Sequence, residues 1–152
     1  MTARLSTRSV AIAIALSLSH PALAVDSSIS RDVPDLTAVR AMIKAKDFKS
    51  ALADLRTMVD RGVQHADVYN LLGFSLRKTG DYPTALTFYN KALDFDPDHK
   101  GAHEYLGELY VETGQLPKAR QHLAILEKLC PSDCEEREDL EKAIAAAAPK
   151  TN

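Results

Sequence analysis

Between residues 66 and 98 the apolar positions follow a helical period, stop, and resume. Val68, Leu71, Leu72, Ser75 and Leu76 recur at three- and four-residue spacing, which predicts a helix with one apolar face. Thr79-Gly80-Asp81 breaks the pattern, and Gly80 suits the left-handed conformation that closes a helix. Tyr82, Ala85, Leu86, Tyr89, Ala92 and Leu93 then mark the buried side of a second helix. Asp96-Pro97-Asp98 ends it, because the residue before a proline disfavours helical dihedrals. The unit is a helix–turn–helix. Gly73 and Ala85 are expected where its two helices approach closest, since larger side chains there would push the axes apart.

The same pattern recurs along the chain. Ala51, Ala85 and Ala119 are spaced 34 residues apart. Asp47-Phe48, Asp81-Tyr82 and Gln115-Leu116 keep that period, as do Met42, Leu76 and Tyr110. Leu72-Gly73 aligns with Leu106-Gly107, where the first unit has Ala38-Val39, and Pro97 aligns with Pro131, where the first unit has Val63. A fixed period of this length is the signature of a stacked solenoid.

Residues 66–97 closely resemble the tetratricopeptide repeat, with Tyr69, Leu72, Gly73, Leu76, Ala85, Tyr89, Ala92 and Pro97 at its signature positions. Residues 100–131 match at Leu106, Gly107, Tyr110, Ala119 and Pro131, with His103 in place of the usual large aromatic and Leu123 and Leu126 in place of Phe and Ala. The first unit matches weakly, chiefly through Phe48 and Ala51. The resemblance implies an all-α fold: three helix-turn-helix units at 32–65, 66–99 and 100–131, stacked as a right-handed superhelix. Residues 132–148 are expected to form a capping helix. Ser132 and Glu135 would make a capping box, Glu136 and Glu138 would face the positive end of the dipole, and Leu140, Ala143, Ile144 and Ala147 would form the apolar stripe. The opposite, charged face would solvate the end of the array.

The N-terminus carries a different pattern. Arg4 and Arg8 precede an apolar run from Val10 to Leu18, and Ala22-Leu23-Ala24 supplies a small-residue cleavage site. Residues 1–24 therefore read as an export signal cleaved before Val25, and the run is far short of the roughly 20 residues a spanning helix needs. No Cys follows the site, so the lipoprotein pattern is absent. A periplasmic or secreted protein without membrane insertion is expected, with residues 25–31 and 149–152 disordered. Among 152 residues the formal charge is −2, which gives no footprint for nucleic acid.

Candidate chemistry follows from the resemblance. In this family the first helix of each unit lines a concave groove that holds a peptide or a partner's helix. Carried over, that implies Leu36, Arg40 and Ile43, then Asn70, Phe74, Arg77 and Lys78, then Glu104, Tyr105, Glu108 and Glu112. Phe74 faces away from Leu72 and Leu76, so an exposed anchor is expected there. Arg40, Arg77 and Lys78 against the three glutamates would make the groove bipolar. One branch of the family grips a C-terminal carboxylate with basic and amide side chains. The matching positions here are Leu36, Arg40, Leu71, Gly101 and Tyr105, of which only Arg40 is basic, so that clamp is absent.

Cys130 and Cys134 stand where the last repeat meets the cap, and exported thiols this close tend to pair. A structural disulfide is the expected reading. Redox-active thiols or a metal site, with His99, His103 or His122 as further ligands, are the alternatives. Neither a phosphate loop, nor G-x-S-x-G, nor a haem attachment motif is present, and no cofactor is expected. The expected function is a non-catalytic protein-binding scaffold or adaptor for a protein or peptide partner. A metal- or redox-linked accessory role through Cys130 and Cys134 is the alternative, and homo-oligomerisation stays open.

Overall fold

The computed structural model describes residues 33–147. The expected signal, leader and tail lie outside the described residues. Seven helices and no strand occur among the described residues: α1 (Thr37–Lys44), α2 (Phe48–Asp60), α3 (Ala66–Lys78), α4 (Tyr82–Phe95), α5 (Lys100–Glu112), α6 (Leu116–Leu129) and α7 (Glu135–Ala147). They stack as an α-α superhelical solenoid, α1/α2, α3/α4 and α5/α6 forming antiparallel pairs and α7 lying against both α5 and α6.

The turn inside each pair is built alike. The backbone N–H groups of Asp47, Asp81 and Gln115 donate to the carbonyls of Met42, Leu76 and Tyr110 at 2.9, 3.0 and 2.7 Å. These are the positions that share the sequence period, and the bonds close the six-residue loop that satisfies a helix C-terminus. Asp47 and Asp81 also cap the following helix, each accepting from a backbone N–H three residues on, at 3.1 and 3.3 Å. The loop requires one residue at positive φ. Gly80 and Gly114 supply it at 88° and 73°, but the first unit places Lys46 there at 62°. A side chain costs roughly 1–2 kcal/mol in that conformation, part of which glycine gives back as unfolded-chain entropy. Lys46→Gly should raise the unfolding free energy by about 0.5 kcal/mol, read as a higher urea midpoint at constant slope.

One core runs through α1 to α5, with Tyr69, Leu72, Tyr89 and Leu106 fully buried at its centre. Gly73 permits the α3–α4 contact, since a Cβ there would stand 2.6 Å from Tyr89 Cδ1. A second, small cluster of Ala119, Leu126, Leu140 and Ile144 docks α7. The equivalent glycine, Gly107, receives Leu140: a Cβ would stand 2.5 Å from its Cδ2. The expected capping box at Ser132 does not form. Asp133 takes a left-handed φ of 49°, which no helix continues through, so α7 starts at Glu135 with Cys134 in the preceding position. Glu135, Glu136 and Glu138 occupy its first turn.

Candidate functional site

The first helices of the pairs, together with α7, enclose a concavity of about 350 Å³. From α1 only Arg40 reaches it. From α3 come Asp67, Asn70 and Leu71, and from α5 Gly101, Glu104 and Tyr105, with His99 at the α5 N-cap. The far wall is Glu135, Glu136 and Asp139 of α7. The charged face of α7 expected to solvate the end of the array thus turns these three acids into the groove.

Several groove residues are not where their helical positions imply. Arg77 is not presented to a partner. Its side chain is 1% exposed, Nη2 pairs with the Glu108 carboxylate, and Nη1 pairs with Glu112 at 2.8 Å. Burial works against the guanidinium's charge, but Tyr89, Glu108 and Glu112 together outweigh it and hold its pKa above the ordinary value. The expected bipolar groove is therefore replaced by an internal ion-pair network joining α3 to α5. Phe74 is half-buried rather than a free anchor. Its ring lies 4.7 Å from Tyr105 and 6.2 Å from Phe48, with Arg77 5.5 Å and Lys78 5.3 Å from its centroid. Leu36 is buried in the core and Ile43 packs against it. Arg40 and Lys78 remain exposed.

The floor is formed by Asn70 and Glu104, 4% and 8% exposed. Asn70 Oδ1 is buried without a hydrogen-bond partner, and its Nδ2 lies so close to Gly101 that a Cβ there would approach to 3.1 Å. Glu104, expected in a solvated acidic stripe, is instead covered by neighbouring elements. Among the described residues it makes neither a hydrogen bond nor an ion pair. Burial pushes its pKa up to about 8, with Glu108, Asp139 and Glu136 adding to the rise and Arg77 opposing it. The same burial, helped by Glu104 and Glu108, pushes the Tyr105 phenol up to about 12. The N-terminal side of the concavity is internally balanced. Asp67 accepts from His99 Nε2 at 3.0 Å and pairs with Arg40 Nη2 at 3.7 Å, while His65 Nδ1 accepts from the Asp67 backbone N–H at 3.2 Å.

A raised acid pKa has a fixed consequence for stability. Between the unfolded value of 4.5 and the folded value of about 8, the native state binds more protons than the unfolded chain. Stability contributed by neutral Glu104 is thus full below pH 4.5 and is lost as pH rises through 8. Glu104→Gln should match wild type near pH 4.5 and exceed it in urea midpoint at pH 8.5. His122 acts oppositely: burial, then His103, hold it near 4, so its contribution is lost as pH falls from 6.5 through 4. The difference between wild type and Glu104→Gln cancels the His122 part.

Cys130 closes α6 and Cys134 precedes α7. Their Cα atoms are 5.7 Å apart and their sulfurs 1.99 Å apart, at bonding distance. Among the described residues Cys130, Cys134 and Glu136 form the one group of three metal-type ligand atoms within 4.8 Å of one another. The histidines do not join it. His99 caps α5, accepting from the Ala102 N–H at 3.0 Å, while the buried His103 spans Pro97 O at 2.8 Å and His122 Nδ1 at 2.9 Å. Sequence reasoning missed Asp67, His99 and Asp139 in the groove. The 32-residue separation of Asp67 and His99, about one repeat period, was the available signal for the first two.

Two family models described as tetratricopeptide repeat match the chain, one over residues 36–100 and the other over residues 76–133. An uncharacterized protein ycf37 of Guillardia theta is 36% identical over 62 residues, covering 40% of this chain and 35% of its own length. The uncharacterized protein ycf37 of Pyropia yezoensis is 34% identical over 62 residues, covering 41% of this chain and 35% of its own. The chain thus spans about a third of the length of the curated relatives it matches. With the repeat turns, the paired helices and both matches in agreement, the chain belongs to the tetratricopeptide repeat family.

Proposed function

We propose that this protein is a non-catalytic binding scaffold of the bacterial periplasm that docks a partner peptide or helix along its concave face. The observation that carries the reading is the concavity itself, shared by three successive first helices and the cap and floored by polar groups without internal partners. Tetratricopeptide repeats are a protein-interaction fold, which supports the same reading. Export is supported by the signal-like residues 1–24, and the close cysteine pair suits an oxidising compartment. We assign that pair a structural role, a bridge that holds the start of α7 against the end of α6.

The test is site-specific photocrosslinking in the native envelope from a photoreactive residue at Arg40 or Lys78, compared with Lys91 or Arg120 on second helices. The expected result is a discrete partner captured from the first-helix positions and rebound by the purified mature chain. Capture only from the second-helix positions overturns the groove assignment. Envelope fractionation with N-terminal sequencing checks the location: a mature chain beginning at Val25 is expected, and a full-length cytoplasmic chain overturns export. The alternative metal or redox role draws on the Cys130, Cys134 and Glu136 cluster. Thiol titration of the exported protein separates the two, since free thiols before reduction would favour the alternative.

A further inference from the structure

Three of the four acids at the C-terminal end of the groove do not share the internal pairing of the N-terminal end. Asp67 is occupied by Arg40 and His99, and Asp139 by Lys142 at 3.0 Å. Among the described residues Glu104, Glu135 and Glu136 have no ion-pair partner. An acidic cluster alone means little, because such groups are ordinarily solvated. Here a second, independent feature stands beside it: the Asn70 amide lines the same pocket, is almost fully buried, and leaves its Oδ1 unpaired. Buried acceptors in native proteins are nearly always satisfied. A pocket with a buried acid and an unpaired amide on its floor and two more carboxylates on its rim carries, among the described residues, no internal positive charge to match them.

We propose that the pocket between α3, α5 and α7 receives a basic side chain, lysine or arginine, of the docked partner segment, with Glu104 as its ion-pair partner and the Asn70 amide, turned about χ2 so that Oδ1 replaces Nδ2 toward the pocket, as a second acceptor. The proposal rests on the groove reading above and adds the chemistry that the groove selects. Charge complementarity identifies the occupant. The concavity is large enough for the head of one long side chain, and Glu135 and Glu136 would flank its stem. The specificity is the reverse of a carboxylate clamp, whose basic positions are here filled by Leu36, Leu71, Gly101 and Tyr105 as well as Arg40.

Binding a cation at Glu104 requires the carboxylate, whereas the free pocket favours the neutral acid. Uptake of the basic side chain should therefore release a proton and strengthen as pH rises toward 8. The other charged or titratable groups around Glu104 are Arg77 and Asp67 on α3, Arg40 on α1, Tyr105 and Glu108 on α5, His99 at its N-cap, and Glu135, Glu136 and Asp139 on α7.

The test titrates the isotope-labelled mature chain with acetyl-Ala-Ala-Arg-Ala-Ala amide, the same peptide carrying citrulline, and spermidine, each followed by backbone amide shifts. The arginine peptide should perturb Asn70, Gly101, Glu104 and the first turn of α7, and citrulline should not. Affinity should rise by roughly ten-fold or more between pH 6 and 8. Glu104→Gln, which keeps the fold, should lose at least about ten-fold at pH 8 and most of the pH dependence. Equal binding of arginine and citrulline, shifts confined to another surface, or an unchanged titration in Glu104→Gln overturns the proposal. Spermidine producing the same shifts at much lower concentration than the peptide also overturns it, in favour of a free polyamine site. Because the peptide reads the pocket directly, its failure leaves the groove reading standing, and failed photocrosslinking leaves this result standing.

Discussion

Arg77→Ala should lower the unfolding free energy by about 3 kcal/mol, the low end of the cost of breaking a buried ion pair. The low end applies because Glu108 and Glu112, with side chains 23% and 36% exposed, can turn toward water once the guanidinium is gone. The remainder of the loss is packing: the guanidinium lies 5.5 Å from the Phe74 ring and 5.8 Å from that of Tyr105, and its aliphatic stem is enclosed. Arg77→Met, which keeps the stem, should recover roughly half of the loss. Arg77→Met with Glu108→Gln should come closer still to wild type, since a well-packed apolar replacement of a buried pair is often neutral. Urea unfolding checks all three. If Arg77 were instead a groove contact, alanine would leave the midpoint unchanged and Met would not rescue partner binding. For the same reason, charge reversal at Arg77 is a poor probe of the groove, because it would damage the fold before it reported on binding.

The structure separates what is local from what is not. The repeat turns were legible because each is decided within about six residues: Leu76 and Asp81 close the loop, Gly80 permits it, and Asp81 caps the next helix. Pro97 likewise acts on its neighbour, leaving Asp96 extended at φ −140°. Burial of the groove residues depends instead on what lies across from them. Glu104, Glu108 and Glu112 share one helix face and one residue type, yet Glu104 is enclosed by α3 and α7 while Glu108 and Glu112 meet Arg77. Nothing in their spacing distinguishes them; the approach of α7 does. Ahead of α7, Asp133 takes a left-handed φ of 49°, so the helix starts at Glu135 rather than after Ser132. Asp and Asn tolerate such a conformation, but a capping box at Ser132 was an equally good local solution, and only the tertiary arrangement decides between them.

Leu140→Ala should undock the cap while the repeats stay folded. Leu140 is fully buried, and its cluster holds only Ala119, Leu126 and Ile144 as further buried members, whereas the main core spans five helices. Removing the side chain should cost about 3 kcal/mol, within the range for buried leucine truncations. In a solenoid each unit is held only by its neighbours, so that loss falls on the terminal helix rather than on the whole array. Hydrogen exchange should show α7 amides losing protection while those of α3 and α4 keep theirs. Uptake of the arginine peptide should fall in parallel, because Glu135, Glu136 and Asp139 leave the groove with α7. Loss of protection in α3 and α7 together would show that the array is a single cooperative unit. Gly107→Ala then supplies an internal control with opposite signs. In wild type its Cβ presses on Leu140 Cδ2 and should cost about 1–3 kcal/mol. On the Leu140→Ala background the same methyl enters the space left behind and should restore part of the stability, so the two substitutions together should cost less than the sum of each alone.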